Sequence, residues 1–415
     1  MANTTLPATT TGGTGGSAGG GSLRKLANVY RPQGIKQVQT GIAFTKGALI
    51  TLNGQVDLSV PVVGFRFVLK GRVAVGTADY TSVKPEQLLN LIKEIKITGI
   101  NTRAGGNVTL FDLDSATWLG FKSLIEKRPY VYMVNKQAGG LIFSPEPGTP
   151  YFAAAFVGFD GVHTGAPELY DFIIAFDIPM YPMHSGPAFR AGWALRKSEW
   201  NDSIQIQVQA ATLADAAENE IGVSAATTTT TLYQYGASSG NPTLDVYVLT
   251  NIMGANLAPT VLPGVLSRVA QPLSTTVQTT ATNLAIVQQA QKQVTGRFFV
   301  KTGVATLPPN YSSLSDSVLT ALGIVVGANR YVRNLNDVYA HKLDLSAHYG
   351  TNPVQGYFAF DFLQSDSPFS AYPGQAVGAG ATFQLVANIT GAANQGAIIV
   401  QEQHLFEPDG PLYAQ

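Results

Sequence analysis

Few residues of this 415-residue chain have the types and spacing that chemistry needs. Asp112 and Asp114 stand two apart in FDLD, a stretch that reads as a strand, so both carboxylates are expected on one side of it. Such a pair could serve glycoside hydrolysis or hold a hard cation, but a solvated strand end accounts for it more simply. Asp171 and Asp177, and Asp361 and Asp366, lack a partner base at a useful spacing. The five histidines, His163, His184, His341, His348 and His404, form no HExxH pattern and no close pair with a carboxylate. No serine sits in a G-x-S-x-G elbow and no G-x-x-x-x-G-K-[ST] phosphate loop occurs. Gly-rich pieces such as Gly378 to Thr382 read as tight turns. The expectation is a chain without catalytic residues, cofactor or metal ligand set: not an enzyme.

Composition narrows the field further. Hydrophobic residues make up 45% of the chain and charged ones only 13%, against about 25% in ordinary soluble domains. A surface of hydroxyls and amides suits one that neighbouring copies will cover, since buried charges need partners. Lys plus Arg and Asp plus Glu number 26 each, so no net field draws the chain onto nucleic acid, and direct contact with a genome is not expected. There is no cysteine, which removes disulfides and thiolate chemistry together. The first residues have no apolar core flanked by basic ones, and no run of eighteen apolar residues occurs, so neither a signal peptide nor a spanning helix is expected. A protein made and assembled in the cytosol is the simplest account.

The elements that would position side chains are repeated. Arg66 to Ser82, RFVLKGRVAVGTADYTS, superposes without a gap on Arg297 to Ser313, RFFVKTGVATLPPNYSS, at an offset of 231, with seven of seventeen positions identical. IIAFDI at Ile173 to Ile178 returns as YFAFDF at Tyr357 to Phe362, at an offset of 184. The first copy therefore holds 47 more residues between the two motifs.

In order along the chain, residues 1–35 read as a flexible Gly/Thr-rich N-terminal arm whose Arg24, Lys25 and Arg31 form a basic cluster. That cluster is either a solvated start to the fold or a membrane-proximal foot on anionic lipid headgroups. The first β-rich domain spans 36–252, with a long aromatic insertion at 115–170 and a loop at 211–241. Its strands are expected at Val38 to Phe44, at Ala48 to Val60 on either side of Asn53-Gly54, at Phe65 to Val75, at Ile92 to Ile100, through Arg190 to Arg196, and at Ser203 to Ala210 and Thr243 to Ile252. A linker at 253–263 leads to a second domain at 264–405 and a tail at 406–415. There, a helical turn is expected at Ser313 to Leu322 and strands at Ile324 to Val326 and Lys342 to Ser346, and both copies close on two strands in the same order. The fold class is all-β: two tandem jelly-roll β-sandwich domains, a double jelly roll with loop insertions.

On the repeat RFVLKGRVA/RFFVKTGVA, the echo AFDI/AFDF and the paired closing strands, roughly Lys36 to Leu405 resembles the double jelly-roll major capsid proteins of tailless icosahedral viruses. Bacteriophages with an internal membrane, the tectivirus-like lineage, are the nearest in size. The resemblance implies a virion location after synthesis in the host cytoplasm. It implies a homotrimer whose six barrels approximate a hexagon, and neighbouring capsomers, penton and minor capsid proteins as partners. It also implies contact with lipid headgroups of an internal membrane, and an outer tower for which the insertions are candidates. The alternative is a virion spike or fibre, or a carbohydrate-binding β-sandwich presenting Tyr233, Tyr235 or Trp118; a polysaccharide-active enzyme using Asp112 and Asp114 is a third reading.

Overall fold

In the computed structural model, the residues described are 33–75, 91–122, 131–135, 153–156, 168–180, 194–211, 233–234 and 241–251 of the first half, with a few positions inside these ranges excepted. In the second half they are 268–274, 282–286, 293–304, 313–334, 342–343, 356–361, 375–376, 383–389 and 395–405, again with a few positions excepted. The first half contributes β1 (Gln33–Ala43), β2 (Leu49–Asn53), β3 (Val62–Val75), β4 (Ile92–Asn101), β5 (Gly106–Leu113), β6 (Val131–Asn135), β7 (Ala153–Phe156), β8 (Glu168–Pro179), β9 (Gln205–Ala210), β10 (Tyr233–Gln234) and β11 (Thr243–Asn251). The second contributes β12 (Arg268–Ser274), β13 (Thr282–Ile286), β14 (Gln293–Val304), β15 (Ser313–Leu314), β16 (Leu319–Val326), β17 (Asn329–Asn334), β18 (Tyr357–Asp361), β19 (Gln375–Ala376), β20 (Phe383–Ile389) and β21 (Gln395–Leu405).

Each half folds as the same sandwich. The first has sheets in the order β1-β11-β3-β8 and β2-β9-β4-β5; the second has β12-β21-β14 with β18 on the far side of β14, and β13-β20-β16-β17. Strand for strand this is one jelly roll made twice, so the double jelly roll is the fold. The repeated motifs occupy equivalent strands in one register: Arg66 stands opposite Asp177 as Arg297 stands opposite Asp361, and Lys70 opposite Ile173 as Lys301 stands opposite Tyr357.

The alternation in β3 explains its place. Phe65, Phe67 and Leu69 are fully buried, while Arg66 and Lys70 face outward. Phe67 stacks on Phe176 of β8 with ring centroids 5.6 Å apart. In β4 the period-two reading of Ile92 to Ile100 is interrupted by irregularities at Ile92/Glu94 and Ile97/Thr98, which is why Ile95 and Ile97 are buried but Ile100 is 43% exposed.

Several expectations are corrected. Of Ala48 to Val60 only Leu49–Asn53 is strand; beyond Gly54, held at φ +62°, Asp57 accepts the Ser59 N–H at 2.8 Å and turns the chain. The helical turn expected over Ser313 to Leu322 shrinks to Asp316–Val318, with strand resuming at Leu319. Lys342 and Leu343 are helical rather than the start of a strand. From the strand expected at Arg190 to Arg196, the described part is a single bridge of Leu195 to Val62.

The insertion after β5 does two things. Its β6 and β7 widen the first sheet beyond β8. Its start turns helical at Ser115, Thr117, Trp118, Phe121 and Lys122 and packs inward. The resulting core is continuous: Phe299, Tyr357, Ala359 and Val400 of the second sandwich join the cluster built by the first.

Candidate functional site

Asp112, Asp114 and Asp177 each make a separate structural contact. Asp114 leaves the strand instead of sharing a side with Asp112. It accepts the Thr117 N–H at 2.7 Å, and its carbonyl accepts the Trp118 N–H at 3.1 Å, so it caps the helical turn. Asp112 stays on β5 and pairs with Lys96 at 3.1 Å; beside it, desolvation and the Asp112 carboxylate push Glu94 above the usual glutamate range. The expected carboxylate pair is therefore two unrelated groups. Asp177 is held by both Arg66 nitrogens, Nε to Oδ1 at 2.6 Å and Nη2 to Oδ2 at 2.9 Å. Asp361 occupies the same register position opposite Arg297 in the second sandwich. His404 lies in β21 opposite Arg268; His163, His184, His341 and His348 lie outside the described residues, as do Asp366, Tyr235 and the basic cluster of Arg24, Lys25 and Arg31. Tyr233 sits in β10 opposite Val75. Trp118 is 1% exposed, so it is core and cannot stack on a sugar; its ring meets Phe111 edge-on at 5.2 Å. Among the described residues no group of three or more metal-ligating side chains converges, and no helix is long and apolar enough to cross a membrane.

What the fold assembles instead is a seam between the two sandwiches, built by Asp114, Thr117, Trp118, Phe121 and Lys122. Because the turn is helical, Trp118 and Lys122 share one side and Thr117 and Phe121 another, each pair four residues apart. Trp118 Nε1 and Lys122 Nζ reach back to the Asp177 carbonyl of β8, at 3.4 and 2.7 Å. Phe121 reaches forward onto the second sandwich, stacked on Phe299 at 4.7 Å and edge-on to Tyr357 at 5.3 Å. Phe299, Tyr357 and Ala359 belong to the outward side of β14 and β18, yet each is no more than 3% exposed, because this turn covers them. Beside them Lys301 Nζ donates to Thr117 Oγ1 at 3.3 Å. Burial pulls the Lys301 pKa below the ordinary lysine value, against the opposing charge of Asp114. Strand β12 runs alongside β5 and extends the same contact. A signal for this turn was present in the sequence: Asp114 three residues before Thr117 is an N-cap pattern.

Neither a family model nor any curated protein sequence matches the chain. Solved structures do. The crystal structure of the STIV MCP aligns over 93% of this chain and 100% of its own, at 13% identity and a TM-score of 0.52. The major capsid protein of bacteriophage PM2 aligns over 91% of this chain and 99% of its own, at 10% identity and 0.50. A chain from the atomic structure of Sulfolobus Turreted Icosahedral Virus aligns over 93% of each, at 13% identity and 0.50. The chain thus belongs to the class of tandem β-sandwich proteins. Within that class its fold is the one seen in these structures, which cover more than nine-tenths of the chain.

Proposed function

We propose that this protein is the major capsid protein of an icosahedral virion, working by self-association and not by catalysis. The observation that carries the reading is the duplication: one jelly roll made twice, joined by an apolar seam, in a fold that spans the full length of the STIV MCP. A three-chain assembly would present six equivalent sandwiches, so it approximates a hexagon that tiles a facet from a threefold particle. The sparse charge of the chain and its zero net charge favour burial against neighbouring copies and give no field for binding a genome.

On this reading the domains are 36–252 and 264–405, joined by the linker 253–263, with the 1–35 arm and the tail 406–415 outside them. Arg24, Lys25 and Arg31 would meet the headgroups of an internal membrane, and penton and minor capsid proteins would complete the shell. The test is electron microscopy of the purified protein. Particles with a near-hexagonal outline are expected; two-lobed single chains would overturn the reading.

A further inference from the structure

The seam inside one chain describes how one sandwich docks on the next, because the two sandwiches are copies. The donor is the helical turn after β5, with Phe121 eight residues past the strand's end at Leu113. The acceptor is the outward side of β14 and β18: Phe299, Tyr357 and Ala359, with Lys301 at the margin.

Both parts exist a second time, and there each is more exposed than in the seam. The second donor follows β17: Lys342 and Leu343 are helical, with Leu343 nine residues past the strand's end at Asn334. Leu343 is 67% exposed, the most exposed large hydrophobic side chain among the described residues. It is also held in place. Lys342 Nζ donates to Asp316 Oδ1 at 2.6 Å and lies 4.8 Å over the Phe358 ring, while the same Asp316 oxygen accepts the Gly356 N–H at 2.6 Å. The second acceptor is given by register. Val68, Ile173, Ala175 and Lys70 of the first sandwich occupy the positions of Phe299, Tyr357, Ala359 and Lys301 in the second. Where the second set is buried under Phe121, Val68, Ile173 and Ala175 are half-buried, with Lys70 exposed beside them.

We infer that Leu343 of one copy docks on the Val68–Ile173 patch of the next, repeating between chains the contact Phe121 makes within one. The occupant is a second copy because donor and acceptor are both present on every chain and their joined form already exists in the intrachain seam. Such a contact is heterologous, so it closes into a ring or runs on as a filament. This rests on the shell reading, where closure after three chains gives the six-sandwich ring.

The absence of native cysteine makes the test direct. The double variant Val68→Cys/Leu343→Cys, oxidised in its assembled state, is expected to give covalent dimers and closed trimers on a non-reducing gel. Each single variant should stay largely monomeric there. If the parent protein assembles yet the double variant gives only monomer bands, the docking site is wrong while the shell reading stands; if the parent is monomeric in solution, both fall. As a second measurement, Leu343→Glu should lower the solution mass to that of one 43.9 kDa chain with an unchanged circular dichroism spectrum. An unchanged mass overturns the inference.

Discussion

Single residues in this protein repeatedly serve the frame rather than a reaction. Asp245 on β11 is the clearest case, since its side chain is 4% exposed and yet ionised. Burial pushes its carboxyl up, but the Lys70 ammonium and the Gly41 N–H, each at 2.7 Å, outweigh that and hold the pKa below its ordinary value of 3.8. The folded form therefore binds this proton less tightly than the unfolded chain. The ion's contribution is complete above about pH 4 and is lost as pH falls through the lower folded value. Asp245→Asn should accordingly lower the denaturation midpoint at pH 7, with the gap to the parent protein closing as pH falls below the carboxyl's ordinary value of 3.8. A gap of constant size at every pH would show that the carboxylate's charge contributes nothing.

At the level of elements, β3 is the strand on which the first sandwich depends, pairing with β11 on one side and β8 on the other. Gly71 sits where the segment entering β11 crosses it: a Cβ there would lie 2.7 Å from Pro242 Cα, and Pro242 is itself fixed by accepting the Phe44 N–H at 2.8 Å. Gly71→Ala should destabilise by about 1–3 kcal/mol, as overpacking against backbone does, read from urea midpoints; a neutral result would mean the crossing is loose. The second copy has Thr302 at the matching position, so the close approach is peculiar to the first. The sequence disclosed β3, β8, β14 and β18 because strand-to-strand register depends on local alternation, which repeats in RFVLK/RFFVK and AFD/AFD. It marked the turn after β5 only by its Asp114 cap, and it concealed what Phe121 and Leu343 face. Phe121 and Leu343 follow no local period because the surface that Phe121 meets, and that Leu343 is inferred to meet, is distant in sequence or on another chain. Trp118 misled for the same reason: an aromatic in a loop reads as exposed until the sandwich that buries it is known.

For the whole molecule, duplication is the organising fact. Two sandwiches of one strand order share a continuous apolar core, joined where Phe121 meets Phe299 and Tyr357. The scarcity of charge and the exposed Leu343 agree with a chain completed by copies of itself. An interface able to hold such copies together should exceed about 2,000 Å² and resist dilution. The most direct measurement is therefore the solution mass by light scattering behind a sizing column. The account predicts about 132 kDa, three times the 43.9 kDa chain, unchanged on tenfold dilution; a stable 43.9 kDa species would contradict it.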